Sequence, residues 1–277
     1  MLFPARRPHH PLEKLARSLR FDLLDMIYYS GSGHIGGSLS ALDLLISLYY
    51  SELFKFLAPD TKVTHDHFIL SAGHLCPSLY TVLASKGYFS KELLPSYASF
   101  GSILQGHVSV EVPGVEYSSG ALGQGLSFAS GLALADRDHF TVCLTSDGEH
   151  DEGQVWEAVA FANKYHLGNL INIVDFNGLQ IDGRTADIMP LGDLAAKYRR
   201  FGWTVTTVDG HNFYDIYRAL IKAKNASIYP VCIIAKTILG KGVSYMENNF
   251  AYHDVKSLSQ ELYLQAQSDL KGYLSHD

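Results

Sequence analysis

Short apolar runs alternate with amphipathic segments over much of the chain. Five of these runs predict strands, at residues 67–71, 140–145, 170–175, 203–208 and 231–235. Their largely continuous apolar character is typical of strands that are covered on both faces. Strands that alternate with helices in this way predict an α/β fold, with a mostly parallel sheet and helices on both faces.

Helical spacing of apolar residues predicts nine helices around these strands. The predicted helices cover residues 12–29, 40–50, 79–86, 91–97, 121–136, 152–165, 191–201, 215–224 and 258–270. The second is expected to begin at Ser40, because Ser40 and Asp43 have the spacing of a capping box. The pattern weakens towards the C-terminus. We therefore predict one domain over residues 1–277, with an α/β core at 12–240 and a C-terminal extension at 241–277.

The composition excludes some classes of protein but does not indicate a function. The 277 residues carry a net charge of −6 and no basic block, so nucleic acid and anionic membranes are unsuitable partners. No uncharged apolar run reaches the roughly 18 residues that a membrane-spanning helix needs. Three scattered cysteines without a CxxC pair are typical of reduced thiols. Together these features predict a cytoplasmic protein.

Two oxygen-bearing side chains stand directly after neighbouring predicted strands. Asp147 follows the second strand and Asn177 follows the third. Ligands of open α/β sheets bind beyond the carboxyl ends of the strands, so these side chains should meet at one edge. A carboxylate, an amide oxygen and a backbone carbonyl near Leu179 would suit Mg²⁺ beside a diphosphate. However, Asp147-Gly148 and Asn177-Gly178 are also common turn formers, so spacing alone leaves both interpretations open.

Three histidines each follow a glycine: His34, His74 and His107. A glycine neighbour lets a loop lie close to a ligand, and imidazole can move protons near neutral pH. A single histidine in a glycine-rich loop is usually a surface or structural residue. Three such pairs favour a ligand site.

Two further motifs are weaker. The glycines from Gly31 to Gly36 satisfy GxGxxG, but a helix rather than a strand precedes them, so the dinucleotide-binding interpretation is rejected. His65 and His67 have strand spacing, which suggests a metal site only weakly, because two histidines are too few ligands.

Six blocks occur in a fixed order between residues 12 and 270. They are SGSGHIGGSLSALDLL, DHFILSAGHLCPSLYTVLASKGYF, LQGHVSVEVPGVEYSSGALGQGLSFASGLALA, SDGEHDEGQVWEA, NLINIVDFNGLQIDG and AKTILGKGVSYMENN. In this order they resemble the N-terminal, diphosphate-binding half of the transketolase family. The resemblance implies thiamine diphosphate as the cofactor and a thiamine diphosphate-binding fold.

The resemblance also implies a role for individual residues. The expected ligands of Mg²⁺ (or Ca²⁺) are Asp147, Asn177 and the carbonyl of Leu179. The expected cofactor-binding residues are His74, Gly120, Ala121, Leu122, Asp147, Gly148, Glu149, Asn177 and His253. The expected catalytic residues are His34, His107, His253 and Glu152. Glu152 also matches a family glutamate between the two active sites, and Glu157 matches another acidic interface position.

Three positions depart from the family pattern. Ser146 replaces a glycine that is not a ligand, which should leave the metal site intact. Ile35 replaces a usual proline after His34, and Asp254 replaces a usual glycine after His253. These two substitutions flank histidines that face the substrate, so they bear on substrate choice more than on cofactor binding.

The resemblance implies transfer of a two-carbon ketol unit from a ketose donor to an aldose or other acceptor. In the family, the glutamate that protonates the cofactor's aminopyrimidine comes from a second α/β domain, and we find no such unit in this sequence. We therefore expect a split enzyme whose partner chain carries the pyrimidine domain, with two copies of each chain. Two alternatives stay open: a related enzyme that loads the ketol unit onto a carrier protein or a specialised acceptor, and a non-catalytic scaffold subunit.

Overall fold

Five parallel strands form the central sheet of the protein. The computed structural model describes residues 11–58, 64–226 and 228–273, so the outer limits of the predicted domain lie outside the described residues. The strands are β1 (His67–Leu70), β2 (Thr141–Ser146), β3 (Leu170–Phe176), β6 (Thr204–Asp209) and β7 (Val231–Lys236). Their order across the sheet is β1-β2-β3-β7-β6. The predicted parallel sheet is confirmed, and every predicted strand lies within about a residue of its observed bounds.

A short antiparallel hairpin follows β3. It is formed by β4 (Leu179–Gln180) and β5 (Gly183–Arg184), whose residues pair with each other. The strand prediction missed this hairpin, because two-residue strands are too short to show a periodic pattern.

Nine α-helices surround the sheet in the described part of the chain. They are α1 (Pro11–Ser30), α2 (Ile35–Tyr50), α3 (Cys76–Ser85), α4 (Gln124–Ala135), α5 (Gly153–Lys164), α6 (Thr185–Ile188), α7 (Leu194–Arg200), α8 (Phe213–Lys224) and α9 (Gln260–Gly272). The segment Lys91–Ser96, predicted as an α-helix, is a 3₁₀ helix. None of the described helices is long and apolar enough to cross a membrane.

Successive strand residues point to opposite faces of the sheet, so each strand supplies two hydrophobic cores. In β2, Val142 and Leu144 pack into the core formed with α1, α2, α3, α8 and α9, while Cys143 packs into the other core. The second core contains the inner faces of α4, α5 and α7. This arrangement explains why the strands are apolar throughout rather than alternating.

Helix α2 begins at Ile35, so the prediction of a start at Ser40 is wrong. Ser40 and Asp43 are buried inside the helix, where their side chains make tertiary contacts and do not cap it. The glycines that suggested a loop are required by close packing. A Cβ atom at Gly36 would lie 2.6 Å from the Tyr252 carbonyl oxygen, so only glycine fits there.

The C-terminal residues pack back onto α1. The rings of Tyr28 and Tyr263 stack with centroids 3.8 Å apart, and the Tyr263 hydroxyl donates to Asp25 Oδ1 over 2.7 Å. Nearer the start of this segment, the Val255 N–H donates to the Gly33 carbonyl over 2.9 Å. The segment predicted as a C-terminal extension is thereby held beside the loop that carries His34.

A buried ion pair ties α1 to α2. The Arg20 guanidinium donates to both carboxylate oxygens of Asp43, over 2.9 and 2.7 Å, and both side chains are almost fully buried. His211 donates to the same carboxylate through Nδ1 (2.8 Å), since its Nε2 accepts from the Ile238 N–H (2.9 Å). These four residues connect the first two helices to the loops that follow β6 and β7.

We expect this pair to make stability depend on pH in the acid range. Burial alone would raise the pKa of Asp43, but the adjacent Arg20 and His211 lower that pKa from 3.8 to about 2. A depressed pKa contributes stability above the unfolded value of 3.8, and this contribution is lost as pH falls towards 2. The free energy of unfolding should therefore fall by about 1 kcal/mol between pH 6 and pH 3 through this group alone.

Urea unfolding of the wild type and of Asp43→Asn at both pH values measures this contribution. The stability difference between the two proteins should shrink by that amount at pH 3, because the Asp43 carboxyl of the unfolded wild type is mostly neutral there. A difference that stays constant with pH would contradict the assignment.

Candidate active site

A cleft of about 360 Å³ opens at the carboxyl edge of the sheet. All but two of the predicted site residues line it: His34, His74, His107, Gly120, Leu122, Gly148, Glu149, Glu152, Asn177, Leu179 and His253. The exceptions are Ala121, which is exposed in the loop before α4, and Asp147, which is buried between the lining residues Ser146 and Gly148. The fold therefore brings together residues that are scattered over some 220 positions of the sequence.

Asp147 is a buried carboxylate held by backbone groups. Its Oδ1 accepts from the Gly148 N–H (2.9 Å), and its Oδ2 accepts from the Gly178 N–H (2.6 Å). Only 1% of Asp147 is exposed. Burial first, and then the nearby carboxylate of Asp175, raise its pKa to about 7. A cation beside it would offset the cost of burying this charge.

Asn177 is oriented by Asp175, two residues earlier on β3. The Asn177 Nδ2 donates to Asp175 Oδ2 over 3.2 Å, while its Oδ1 accepts from the Leu179 N–H over 2.9 Å. Asp175 is fully buried and also accepts from the hydroxyls of Ser40 (2.5 Å) and Thr237. The side-chain oxygen of Asn177 therefore stays beside the Leu179 backbone, on the same edge as Asp147.

Four imidazoles form one wall of the cleft. The ring of His34 lies at the centre, with centroids 5.1 Å from His74, 5.9 Å from His107 and 5.8 Å from His253. The rings of His74 and His253 are 5.5 Å apart. The three Gly-His pairs and His253 thus meet in space, although they come from four different loops.

Burial keeps three of these rings neutral near pH 7. Burial lowers the pKa of His34, of His74 (well below its ordinary value of 6.5) and of His253 (to about 4). For His74, the neighbouring imidazoles lower the pKa further. Asp254 opposes this effect at His34 and His253. A neutral imidazole can both accept and donate a proton, which suits transfer between hydroxyl groups.

Glu149 holds the neighbouring loops together. Its Oε1 accepts from the Ser71 hydroxyl and from the Gly123 N–H (2.7 Å), and its Oε2 accepts from the Ser146 N–H (3.3 Å). The side chain is fully buried, so these donors occupy much of the carboxylate. The contact with Gly123 fixes the end of the loop that contains Gly120 and Leu122.

Glu152 stands at the mouth of the cleft and occupies the position before Gly153, the first residue of α5. It is exposed, as is Glu157 on the first turns of the same helix. A 3₁₀ turn, Gly148–Asp151, precedes α5. The helix begins at Gly153, one residue after its predicted start at 152. The roles predicted for both glutamates at an interface between active sites stay predictions.

Several lining residues were missed by the sequence analysis. They include Gly37, Leu75, Ser146, Asp151, Asp175, Gln180, Ile181 and Asp182. Gln180, Ile181 and Asp182 belong to the hairpin after Asn177, whose short strands show no periodicity. Asp175 lies inside an apolar strand. A carboxylate is costly to bury in such a strand, so its presence there was the signal in the sequence that could have identified it as a site residue.

Comparison with known proteins shows which family has this architecture. The sequence profile described as "Transketolase, thiamine diphosphate binding domain" matches residues 12–268. An apulose-4-phosphate transketolase subunit from Phocaeicola vulgatus is 39% identical over 87% of this chain and 88% of its own length. The 6-deoxy-6-sulfo-D-fructose transketolase subunit SqwG of Clostridium sp. is 41% identical over 94% of this chain and 96% of its own length.

Solved structures agree with the profile. The crystal structure of transketolase from Campylobacter jejuni superimposes with a TM-score of 0.87 and 31% identity over 94% of this chain. Transketolase from Leishmania mexicana gives a TM-score of 0.83 with 26% identity over 95% of this chain. The chain spans only 42% and 45% of those two proteins, respectively.

Fold, cleft and profile together define a thiamine diphosphate-binding α/β domain. The chain belongs to the transketolase family, as the ordered sequence blocks indicated. Its matched region is the one that two relatives named as transketolase subunits carry over most of their length.

The cleft suits this cofactor by the chemistry of its donors. Three of its lining residues have buried polar atoms that find no partner within the described residues: Asp151 Oδ1, Gln180 Oε1 and His253 Nδ1. Such atoms are costly unless a ligand or water satisfies them. A Cβ atom at Gly148 would lie 3.2 Å from Gln180 Oε1, so a side chain there would crowd the cleft. The buried carboxylate of Asp147 supplies the negative charge that a divalent cation requires.

The departures from the family pattern have structural accounts. Ile35 occupies the first position of α2, where proline is often found, and its N–H donates to the Gly33 carbonyl over 3.1 Å. Ile35 is fully buried, so it fills the same place with an apolar side chain. Asp254 is exposed beside His253 and adds a negative charge near two imidazoles. Ser146 is the last residue of β2 and donates its N–H to Glu149.

Proposed function

We propose that this chain is the N-terminal subunit of a thiamine diphosphate- and Mg²⁺-dependent transketolase. The observation that carries the proposal is the cleft, which is lined both by four imidazoles and by the predicted metal ligands Asn177 and Leu179, with the buried carboxylate of Asp147 next to the lining residue Gly148. The reaction is transfer of a two-carbon ketol unit from a ketose or ketose phosphate to an aldose or another acceptor. A cytoplasmic location fits this function. In this proposal the C-terminal extension at 241–277 adds His253 to the site formed by the α/β core at 12–240.

The residues of this chain would hold the cofactor's diphosphate end. Asp147, Asn177 and the Leu179 carbonyl would hold Mg²⁺, which would supply positive charge for the diphosphate. Gly148 leaves room beside them, and His74 and His253 would offer ring nitrogens to the diphosphate. The loop 120–122 would lie under the rings of the cofactor. Thiamine diphosphate, when bound, supplies the carbon nucleophile that attacks a ketose carbonyl.

Imidazoles of the cleft would handle the substrate's protons. Cleavage of a bond between two hydroxyl-bearing carbons requires one hydroxyl to lose its proton and the product to regain one. The rings of His107 and His253 each lie within 6 Å of the His34 ring, so the three would share these tasks on adjacent oxygens. His34, which is partly buried, would orient the sugar chain by hydrogen bonds.

Glu152 would belong to the assembled enzyme. It stands at the open mouth of the cleft, where a neighbouring protomer would cover it. We propose an α2β2 assembly in which the partner chain carries the pyrimidine domain and its activating carboxylate. The names of two relatives as subunits support a partner, because this chain matches each of them over most of its length.

We expect the isolated chain to be inactive and the complex with its partner to be active. The chain would be purified alone and together with a candidate partner, such as the product of a neighbouring reading frame with a pyrimidine domain. Ketol transfer would be assayed with thiamine diphosphate and Mg²⁺, and light scattering would give the mass of the complex. Efficient ketol transfer by the isolated chain would contradict the need for a partner.

A separate experiment is required to identify the donor and the acceptor of the ketol unit. The two relatives named as subunits act, by their names, on apulose 4-phosphate and on 6-deoxy-6-sulfo-D-fructose, which differ in the charged end of the substrate. Donor cleavage by the reconstituted complex should be measured with a panel of ketoses and ketose phosphates. A set of aldoses and an acyl carrier-type protein as acceptors would distinguish general ketol transfer from loading of a carrier or a specialised acceptor.

A scaffold subunit that retains the fold is the alternative from another class. The intact set of metal ligands and imidazoles favours the enzyme. Calorimetric titration with thiamine diphosphate and Mg²⁺ distinguishes the two, with and without the partner chain. Absence of binding in both conditions would favour the scaffold.

A further inference from the structure

A second cluster of potential ligands lies at the opposite edge of the sheet from the cleft. His65 and His67 stand at the amino end of β1, and Glu116 reaches them from the loop between His107 and Gly120. Glu116 Oε2 lies 3.2 Å from His65 Nε2 and 2.6 Å from His67 Nδ1. The three ligand atoms lie within 4.8 Å of one another.

The sequence alone left this motif undecided, because two histidines at strand spacing are too few. The tertiary structure supplies the third ligand from a residue nearly fifty positions away. The other oxygen of Glu116, Oε1, accepts from the Phe68 N–H over 3.0 Å, which fixes the carboxylate and turns Oε2 towards both imidazoles. All three side chains are partly buried, with 20%, 14% and 11% of the side chain exposed for His65, His67 and Glu116.

A further carboxylate orients His67 from its other side. Asp136 Oδ2 lies 3.5 Å from His67 Nε2, and Asp136 itself accepts from His139 Nδ1 over 2.9 Å. Histidines that bind metals commonly donate their second ring N–H to a carboxylate, which fixes the ring and raises the basicity of the ligating nitrogen. Here the arrangement leaves Nδ1 of His67 facing Glu116 and His65.

We propose that His65, His67 and Glu116 form a binding site for a transition-metal ion, with Zn²⁺ as the best match. Two imidazole nitrogens and one carboxylate oxygen are a common protein ligand set for Zn²⁺, with the fourth position left to water. Bond lengths of about 2.0–2.1 Å place tetrahedral ligand atoms about 3.3 Å apart. The distance from Glu116 to His65 already matches, and the distance to His67 must lengthen by about 0.7 Å to reach that spacing.

The site would act on the cleft only through the backbone. Glu116 lies in the loop that connects His107 to Gly120, and His67 begins the strand that leads to His74. An ion that joins them would tie this loop to the sheet. The metal would therefore stabilise the fold and leave the cofactor-binding groups untouched.

Zn²⁺ titration of the full chain, saturated with thiamine diphosphate and Mg²⁺, tests the proposal. Calorimetry should show one equivalent of bound Zn²⁺ in the wild type that is lost in His65→Gln/His67→Gln. Co²⁺ in place of Zn²⁺ should give visible absorption bands of a tetrahedral site in the wild type only. His166→Gln is the matched control, because His166 is an exposed histidine outside both clusters; it should keep the equivalent.

Two single substitutions guard against misfolding of the double variant. Glu116→Gln keeps an oxygen for the Phe68 N–H and removes the charge, so it should also lose the Zn²⁺ equivalent. Asp136→Asn keeps an acceptor for His139 and should weaken Zn²⁺ binding about 10–100-fold. The proposal is overturned if a folded Glu116→Gln or double variant binds Zn²⁺ with the wild-type stoichiometry and affinity, which would place the ion on the cleft histidines instead.

Discussion

Replacing Asp147 by asparagine should weaken Mg²⁺-dependent binding of thiamine diphosphate about 100-fold, or about 3 kcal/mol. Asp147 is the carboxylate among the three predicted metal ligands, and only 1% of it is exposed. Asparagine has nearly the same size but no charge, so the attraction to the cation in this buried site is lost. It also turns an amide towards a backbone N–H, because Asp147 Oδ1 and Oδ2 each accept from one. The ligand set then retains only neutral oxygens.

Calorimetric titration of the cofactor at several Mg²⁺ concentrations measures this effect. Asp187→Asn is the matched control, since Asp187 has 72% of its side chain exposed and lies outside the cleft. This variant should bind like the wild type. Thermal unfolding of each variant without ligands shows whether the fold is retained. A folded Asp147→Asn protein with wild-type affinity and Mg²⁺ dependence would remove Asp147 from the metal site.

Replacing His34 by alanine should lower kcat/KM of the reconstituted enzyme by about 10²–10⁴-fold, the usual worth of a group that transfers protons. His34 is central to the cluster, with three other imidazoles within 6 Å of its ring. It precedes α2 but makes no side-chain capping hydrogen bond, so its removal should leave the helix intact. Affinity for thiamine diphosphate should stay near the wild-type value, because His34 is not one of the predicted metal ligands or cofactor-binding residues.

Steady-state kinetics with a ketose donor, combined with cofactor titration, separates the two effects. His166→Ala removes an exposed histidine of the same type and should leave both quantities unchanged. A His34→Ala enzyme with wild-type kcat/KM would assign proton transfer to the remaining histidines. Loss of cofactor affinity instead would show that His34 acts in binding.

Much of the fold could be predicted from local patterns. The strands were located to within about a residue, because each is an apolar run that ends at a turn. The start of α2 was not located correctly, because Gly36 and Gly37 suggested a loop. In the structure they are the points where α2 touches Tyr252 and Leu75, and a side chain would collide with either. Contacts of that kind join residues far apart in sequence, so no local pattern reports them.

The candidate site divides in the same way. Asp147 and Asn177 were found because each follows a strand, and parallel strands bring their carboxyl ends to one edge. Asp175, which orients Asn177, was missed because it lies within an apolar run. Gln180 was missed because its hairpin is only two residues deep on each side. The role of Glu149 as a link between three loops depends on hydrogen bonds that only the folded chain contains.

Sequence alone determined the fold class, the family and most members of the cleft. These follow from periodicity, from polar residues at strand ends and from blocks in a fixed order, all of which are properties of the chain as written. Only the tertiary structure decided the rest: that four imidazoles meet around His34, that Arg20 neutralises Asp43 inside the core, and that Glu116 completes a ligand set with two histidines. The physical reason is that charge compensation and ligand geometry depend on distances between atoms, and the packing of the whole chain sets those distances.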